Sequence, residues 1–208
     1  MNTPTVFVVD DDAAVREGTA LLLEVAGLEQ RCCDCAEALL ATIGPESRGC
    51  LLLDINMPGM NGLELQEELV RRGICLPIIF LSAHGDIPSS VKAIKAGAME
   101  FLVKPVSGAA LIAQIQLALD ADHRRHQEAA IQQNALSRLS GLTEREREIL
   151  ALALSGQSNK EIARHLGISY RTVETHRSHI LLKTGATTLL ELAQLAAAGG
   201  LSALPVHS

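Results

Sequence analysis

The acidic triplet Asp10-Asp11-Asp12 follows directly on the apolar run Val6-Phe7-Val8-Val9, and adjacent like charges repel unless something positive sits among them. One of the three has an ordinary task, because Asp12 is placed to cap a helix beginning at Ala13. The other two gain most from a hard divalent cation, which takes oxygen ligands and cancels their repulsion. Three more residues with useful chemistry each close an apolar run: Asp54 after Leu51-Leu52-Leu53, Ser82 after Ile78 to Leu81, and Lys104 after Phe101 to Val103. A carboxylate beside a bound cation can attack phosphorus and carry an aspartyl phosphate. Phosphoryl transfer then asks chiefly for positioning and charge neutralisation. Asp54 stands alone at its run, which makes it the candidate nucleophile. Asp10 and Asp11 are left to hold the metal, Lys104 to bind one phosphoryl oxygen and Ser82 to hydrogen-bond another. Taken singly, Lys104 is a solvated lysine before a turn and Ser82 an ordinary strand-end hydroxyl; their shared placement makes them a site.

The elements that must position these residues are legible as alternating patterns. Strand-like runs cover Thr5 to Val9, Glu29 to Cys33, Cys50 to Leu53, Pro77 to Leu81 and Phe101 to Val103, and helical patterns cover Ala13 to Ala26, Ala36 to Ile43, Gly62 to Arg71, Ile87 to Ala96 and Ser107 to Ala121. Strict alternation of strand and helix implies an α/β doubly wound, five-stranded parallel sheet, since parallel strands need crossover connections. The first, third and fourth runs are apolar without alternation, as strands covered on both faces should be. Ligands of such sheets sit beyond the carboxyl ends of the strands, where Asp10, Asp11, Asp54, Ser82 and Lys104 converge.

The chain has 208 residues with no Trp, one Tyr and three Phe, so its cores must be built from Leu, Ile, Val and Ala. No apolar run approaches the roughly 18 residues of a membrane helix, and no basic-then-apolar leader opens the sequence; a cytoplasmic protein with no membrane partner is expected. Cys32, Cys33 and Cys35 are too crowded for an ordinary disulfide framework and lack a second ligand cluster, so they read as reduced structural thiols. Residues 1–123 hold 8 basic and 17 acidic side chains, a net of −9, whereas residues 124–208 hold 10 and 7, a net of +3. An acidic module followed by a basic one suggests that the second meets a polyanion.

Between Asp120 and Gly141 the stretch DADHRRHQEAAIQQNALSRLSG is polar, helix-prone and free of proline. It reads as a helical linker over 123–140, able to continue the preceding helix, between a domain at 1–122 and one at 141–208. Ala129, Gln132, Leu136 and Leu139 are loosely spaced as a short coiled-coil seam. Beyond it the pattern is helical throughout. Thr143 with Glu146, and Ser158 with Glu161, form two capping boxes, and Gly167 followed by Ser169 ends one helix and opens the next. A helix, a tight glycine turn and a second helix make the unit that enters the major groove of DNA.

The motifs VVDDD (8–12), LLLDINMPGMNGLEL (51–65), IIFLSAHGD (78–86) and AIKAGAMEFLVKP (93–105) resemble the receiver domain of two-component response regulators over about 120 residues. The resemblance implies a flavodoxin-like fold and Mg²⁺ (or Mn²⁺) held by Asp11, Asp54 and the backbone carbonyl of Asn56 with Asp10 assisting. It also implies phosphorylation of Asp54 by a histidine kinase, a cis peptide at Lys104-Pro105, and a switch in which Ser82 and Phe101 move together. Phe101 alone reads as a core residue. Asn56 and His84 stand where relatives tune phosphate lifetime, Ser82 replaces the commoner threonine, and Val106 stands where an aromatic is frequent.

Residues 142–196, with the run SNKEIARHLGIS, then TVETHRSHI and Lys183, resemble the LuxR-type helix-turn-helix domain. That likeness implies a recognition helix from about Tyr170 to Lys183, with Val173 and Ile180 toward the core. Arg171, Glu174, Thr175 and Ser178 then face the bases, and Lys160, Thr172, His176, Arg177 and Lys183 approach phosphates. Each has a plainer reading: the arginines as solvated charges, His176 as a satisfied buried histidine, Glu174 as a helix-start acid. Leu189, Leu192 and Leu195 either bind a second copy of the last helix or complete the core. The combination resembles the FixJ subgroup of FixJ/NarL response regulators, which implies a transcription activator that dimerises when phosphorylated, binds double-stranded DNA and works with RNA polymerase. The rival readings are a Mg²⁺-dependent phosphatase or phosphotransferase, for which no lid or second catalytic carboxylate is visible, and a DNA-binding module that never takes phosphate.

Overall fold

Short apolar runs separated by amphipathic stretches fold into a layered sheet. Strands β1 (Thr5–Val9), β2 (Gln30–Cys33), β3 (Gly49–Asp54), β4 (Ile78–Ser82) and β5 (Glu100–Val103) alternate with helices α1 (Ala13–Val25), α2 (Ala36–Leu40), α3 (Gly62–Arg71), α4 (Ile87–Lys95) and α5 (Gly108–Ser140). All pairings are parallel, in the order β2-β1-β3-β4-β5, the doubly wound arrangement the alternation implied. The computed structural model describes residues 3–83 and 87–200. His84 lies outside the described residues.

Successive residues of a strand point to opposite faces, and the two cores show it. Phe7, Val9, Leu51, Leu53 and Phe80 pack on one face with Leu39, Leu65, Leu69 and Ala93 of α2, α3 and α4. Val6, Val8, Leu52, Ile79 and Leu81 pack on the other with Leu23 of α1 and Leu111, Ile115 and Ala118 of α5. Helix α2 stops before the expected Ile43: the Thr42 hydroxyl donates to the Leu39 carbonyl at 2.9 Å, and Gly44-Pro45 follow, a local hydrogen bond and a proline that both oppose further helix. Asp122, 1% exposed, accepts from Arg48 Nε at 2.8 Å, the Gly49 amide at 3.3 Å and Arg125 Nη2 at 3.0 Å. It thereby ties α5 to the start of β3.

The chain separates into two units, Met1–Arg125 and His126–Ser208. Helix α5 continues through the polar stretch to Ser140, as nothing between Asp120 and Ser140 stops a helix. In its last turns Leu136 is exposed, and Ala135 and Leu139, four residues apart, enter the core of the second unit. That unit adds α6 (Glu144–Leu154), α7 (Asn159–Leu166), α8 (Tyr170–Thr184) and α9 (Leu189–Ala198). Its core gathers Ile149, Leu150, Ile162, Val173, Ile180, Leu192 and Leu195. Both capping boxes form, at Thr143 with Glu146 and at Ser158 with Glu161. Gly167 ends α7 in the left-handed region at φ 65°, and Ser169 caps α8. No helix among the described residues is long and apolar enough to cross a membrane.

Candidate functional site

β1 and β3 are neighbours in register, Val9 beside Leu53, so the residues that follow, Asp10 and Asp54, emerge side by side where strand order reverses. Both are buried. Lys104, delivered from the end of β5, sits between them: its Nζ lies 2.6 Å from Asp10 Oδ2 and 2.8 Å from Asp54 Oδ1. Burial works to lower the Lys104 pKa, but the hydrogen bonds to both carboxylates outweigh it and the net shift is upward.

The remaining acceptors of the two acids are fixed by nearby donors. Asp10 Oδ1 accepts from the Asp12 amide at 3.0 Å, and the Asp10 carbonyl accepts from Arg16 Nη1 at 2.7 Å. Asp54 Oδ2 accepts from the Asn56 amide at 2.7 Å. Asp12 takes the ordinary task foreseen for it, accepting from the Ala14 amide at 2.8 Å as the cap of α1. Asp11 and the Asn56 side chain stay exposed at the mouth. Gly62, the first residue of α3, approaches so closely that a Cβ there would lie 2.3 Å from the Asp54 carbonyl oxygen, and its amide donates to the Ile55 carbonyl at 2.9 Å.

Ser82, also buried, closes β4, and its carbonyl accepts from the Lys104 amide at 2.8 Å. Phe101 is half-buried against the core, its ring centroid 6.4 Å from that of Phe80. The Lys104-Pro105 peptide is cis. Thus Asp10, Asp54, Ser82 and Lys104 converge at one end of the sheet. Among the described residues no three His, Cys, Asp or Glu side chains are grouped to hold an ion by themselves, and the Lys104 ammonium bridges the two buried acids. The donors are nonetheless all hard oxygens that suit Mg²⁺, and a cation, the ammonium, already rests among them.

The second candidate surface is α8. Val173 and Ile180 are buried, and Arg171, Glu174, Thr175 and Ser178 are exposed. The Thr175 and Ser178 hydroxyls fold back onto the carbonyls of Arg171 and Glu174, each at 3.0 Å. Thr172 is half-buried at the cap, its Oγ1 2.7 Å from Ser169 Oγ. Arg177 Nη1 holds Asn159 Oδ1 at 2.5 Å, linking α8 to α7. His176 is half-buried, and Lys160 is exposed at the start of α7. Lys183 has a structural engagement that the sequence pattern did not reveal: its Nζ donates at 2.7 Å to Oε2 of Glu146, a buried residue of α6.

Arg16 and Glu146 were missed as participants. Arg16, one helical turn after the triplet, offered a weak local signal; the Glu146–Lys183 pair, separated by 37 residues, offered none.

Residues 6–116 match the response regulator receiver domain, and residues 140–196 match the luxR family of bacterial regulatory proteins. The transcriptional regulatory protein FixJ of Azorhizobium caulinodans is 41% identical over 197 residues, covering 95% of this chain and 93% of that protein. Among solved structures, the response regulator StyR superposes with a TM-score of 0.86 at 46% identity, covering 94% of this chain and 99% of its own. Full-length FixJ from B. japonicum superposes with a TM-score of 0.60 at 36% identity, covering 97% of this chain and all of its own (100%).

Proposed function

This chain belongs to the response regulators that join a receiver domain to a LuxR-type DNA-binding domain, and we propose that phosphorylation of Asp54 by a sensor histidine kinase controls its binding to DNA and its activation of transcription. The observation that carries this reading is the Lys104 ammonium held between Asp10 and Asp54, two carboxylates against one cation at the mouth of a parallel sheet.

In the proposed reaction Asp54 attacks the phosphorus of a phosphohistidine; the new bond forms at a carboxylate oxygen as the bond to the kinase's histidine nitrogen breaks. The Asn56 amide fixes the orientation of the Asp54 carboxylate, and the close approach of Gly62 holds the backbone that carries it. Lys104 turns its positive charge to one phosphoryl oxygen, and the Ser82 hydroxyl donates to another. Asp10, Asp11, Asp54 and the Asn56 carbonyl are the residues that would hold Mg²⁺ (or Mn²⁺), which supplies neutralising charge to the phosphoryl oxygens when bound.

The phosphoryl group adds roughly −1.5 to −2 charges at the cup. That charge favours Ser82 and Phe101 turned inward and changes the face of α4 and β5, where Val91, Ile94 and Val103 already stand exposed. Two receivers pairing there would bring two copies of α8 to neighbouring major grooves. Arg171, Glu174, Thr175 and Ser178 then meet bases, while Lys160, Thr172, His176, Arg177 and the unused donors of Lys183 meet phosphates. RNA polymerase is the partner such a DNA-bound dimer would serve, and the cytoplasm is where kinase output and chromosome meet.

Incubation with Mg²⁺ and acetyl phosphate tests the core of this reading. One phosphoryl group on the Asp54 peptide by mass spectrometry, lost in Asp54→Asn together with phosphate-dependent dimerisation, is the expected result. Equal dimerisation of Asp54→Asn and the parent under donor would overturn it, and continuous turnover of donor without stable modification would favour an enzyme.

A further inference from the structure

The C-terminal end of α8 is gripped from two sides. One grip is Lys183 on Glu146 of α6. The other comes from Arg138, in the last turns of α5, whose Nε donates to the Thr184 carbonyl at 2.6 Å. Thr184 is itself 1% exposed, and its carbonyl belongs to the final turn of α8, where the helix has no following amide of its own to offer. The chain then leaves through Gly185 in the left-handed region at φ 65°, and a Cβ on Gly185 would sit 3.7 Å from Arg138 Nη2. The guanidinium therefore lies under the helix end, where a positive charge complements the partial negative charge of the helix dipole.

We propose that Arg138 is a positioning residue for DNA recognition: it clamps the end of α8 and so sets the angle at which that helix presents its reading face. The inference rests on α8 being the recognition helix. Arg171 lies 13 residues before Thr184, a lever of about 20 Å at 1.5 Å per residue, so a tilt of about 3° at the clamp moves the reading face by about 1 Å. Base-edge hydrogen bonds lose their geometry on that scale, whereas phosphate contacts through long flexible side chains tolerate it. The clamp has a firm base. Ala135 and Leu139, flanking Arg138 on α5, are buried in the core of the second unit, and a Cβ on Gly199 after α9 would lie 2.8 Å from Leu139 Cδ1. Arg138 thus reaches α8 from a backbone that cannot follow it.

The test compares full-length variants binding two labelled duplexes: one enriched by the parent protein from a random-sequence pool, the other a shuffled duplex of the same composition. Arg138→Ala is expected to lower the preference for the enriched duplex by about tenfold, the scale of one lost base-pair match, while binding of the shuffled duplex changes little. Arg138→Lys, which can still donate to the Thr184 carbonyl, should recover part of the preference. Binding is expressed per folded molecule, with the folded fraction of each variant fixed by its melt, which controls for loss of folded protein. Arg171→Ala, Glu174→Ala and Thr175→Ala combined remove the reading face itself. Parent-like preference in Arg138→Ala alone overturns the clamp, as does a loss of preference that the melt of Arg138→Ala accounts for in full. Parent-like preference in the combined α8 variant as well overturns the recognition-helix reading and the clamp with it.

Discussion

Each unit sets a lysine against a buried carboxylate, and the two contacts are built to opposite ends. In the receiver, Lys104 meets two acids whose side chains are 4% and 8% exposed. In the DNA-binding unit, Lys183 meets Glu146 alone, and Glu146 Oε2 also accepts from the Thr143 amide at 2.8 Å and the Thr143 hydroxyl at 3.0 Å. The second contact is balanced in charge and well supplied with donors. The first keeps one carboxylate charge in surplus and opens toward exposed Asp11. A carboxylate balanced by one lysine serves the fold; an unbalanced buried cluster invites another cation and, with it, chemistry.

Removing the lysine from each site breaks the comparison most directly. Lys104→Met leaves two buried carboxylates facing each other, and breaking a buried pair costs about 3 kcal/mol or more. In chelator the receiver should therefore melt well below the parent, and Mg²⁺ should restore more stability to this variant than it adds to the parent. Lys183→Met should show no such rescue. Melts with and without Mg²⁺ decide the matter, and equal responses in the two variants would mean that the sites do not differ in kind.

Next in size is Gly62→Ala. The added methyl would be driven against the backbone at Asp54, not against a side chain that can swing away, so overpacking should cost about 2 kcal/mol and displace the Asp54 carboxylate. Slowed phosphorylation by acetyl phosphate, beyond what the loss of stability explains, is the expected readout.

The balanced contact is best examined by acid. The Lys183 hydrogen bond, aided by Thr143 and opposed by burial, holds the Glu146 carboxyl down to about 2, against an ordinary value of 4.5. A depressed native pKa contributes stability that is fully present above the ordinary value and is lost as pH falls toward the native one. Melting of the second unit should therefore weaken between pH 4.5 and about 2. Lys183→Met should cost about 1–2 kcal/mol near neutrality, less than Lys104→Met because Thr143 still serves the carboxylate. Its curve and the parent's should converge at the acid end; parallel curves would show that the lysine does not hold Glu146.

How much of this was legible in sequence follows from how far apart the partners lie. Asp10, Asp54, Ser82 and Lys104 were readable because each sits at the end of its own apolar run, and the parallel sheet then gathers all the ends. The capping boxes at Thr143 and Ser158 were readable because both partners fall within one turn. Lys183 with Glu146, Arg138 with Thr184 and Asp122 with Arg48, separated by 37, 46 and 74 residues, leave no periodic trace. Helix α5 runs on through the linker, as that polar, proline-free stretch allowed, but its packing was not legible for a related reason. Its polar outer face looked like a connector, while Ala135 and Leu139 mark its buried side with only two residues.

The smallest predicted difference lies between the two capping boxes, and it carries the comparison into a single unit. Thr143 caps α6 beside the buried Glu146, whereas Ser158 and Glu161 cap α7 at the surface. Loss of a capping hydroxyl costs about 0.5–2 kcal/mol, with exposed sites at the low end. In Thr143→Ala the Glu146 carboxylate also loses one of the donors that balance it, so about 1–2 kcal/mol is expected there and about 0.5 kcal/mol for Ser158→Ala. Denaturant titration of both variants would measure the difference. Equal costs would mean that burial of Glu146 adds nothing to its cap, and that the contact with Lys183 stabilises the helix end by charge alone.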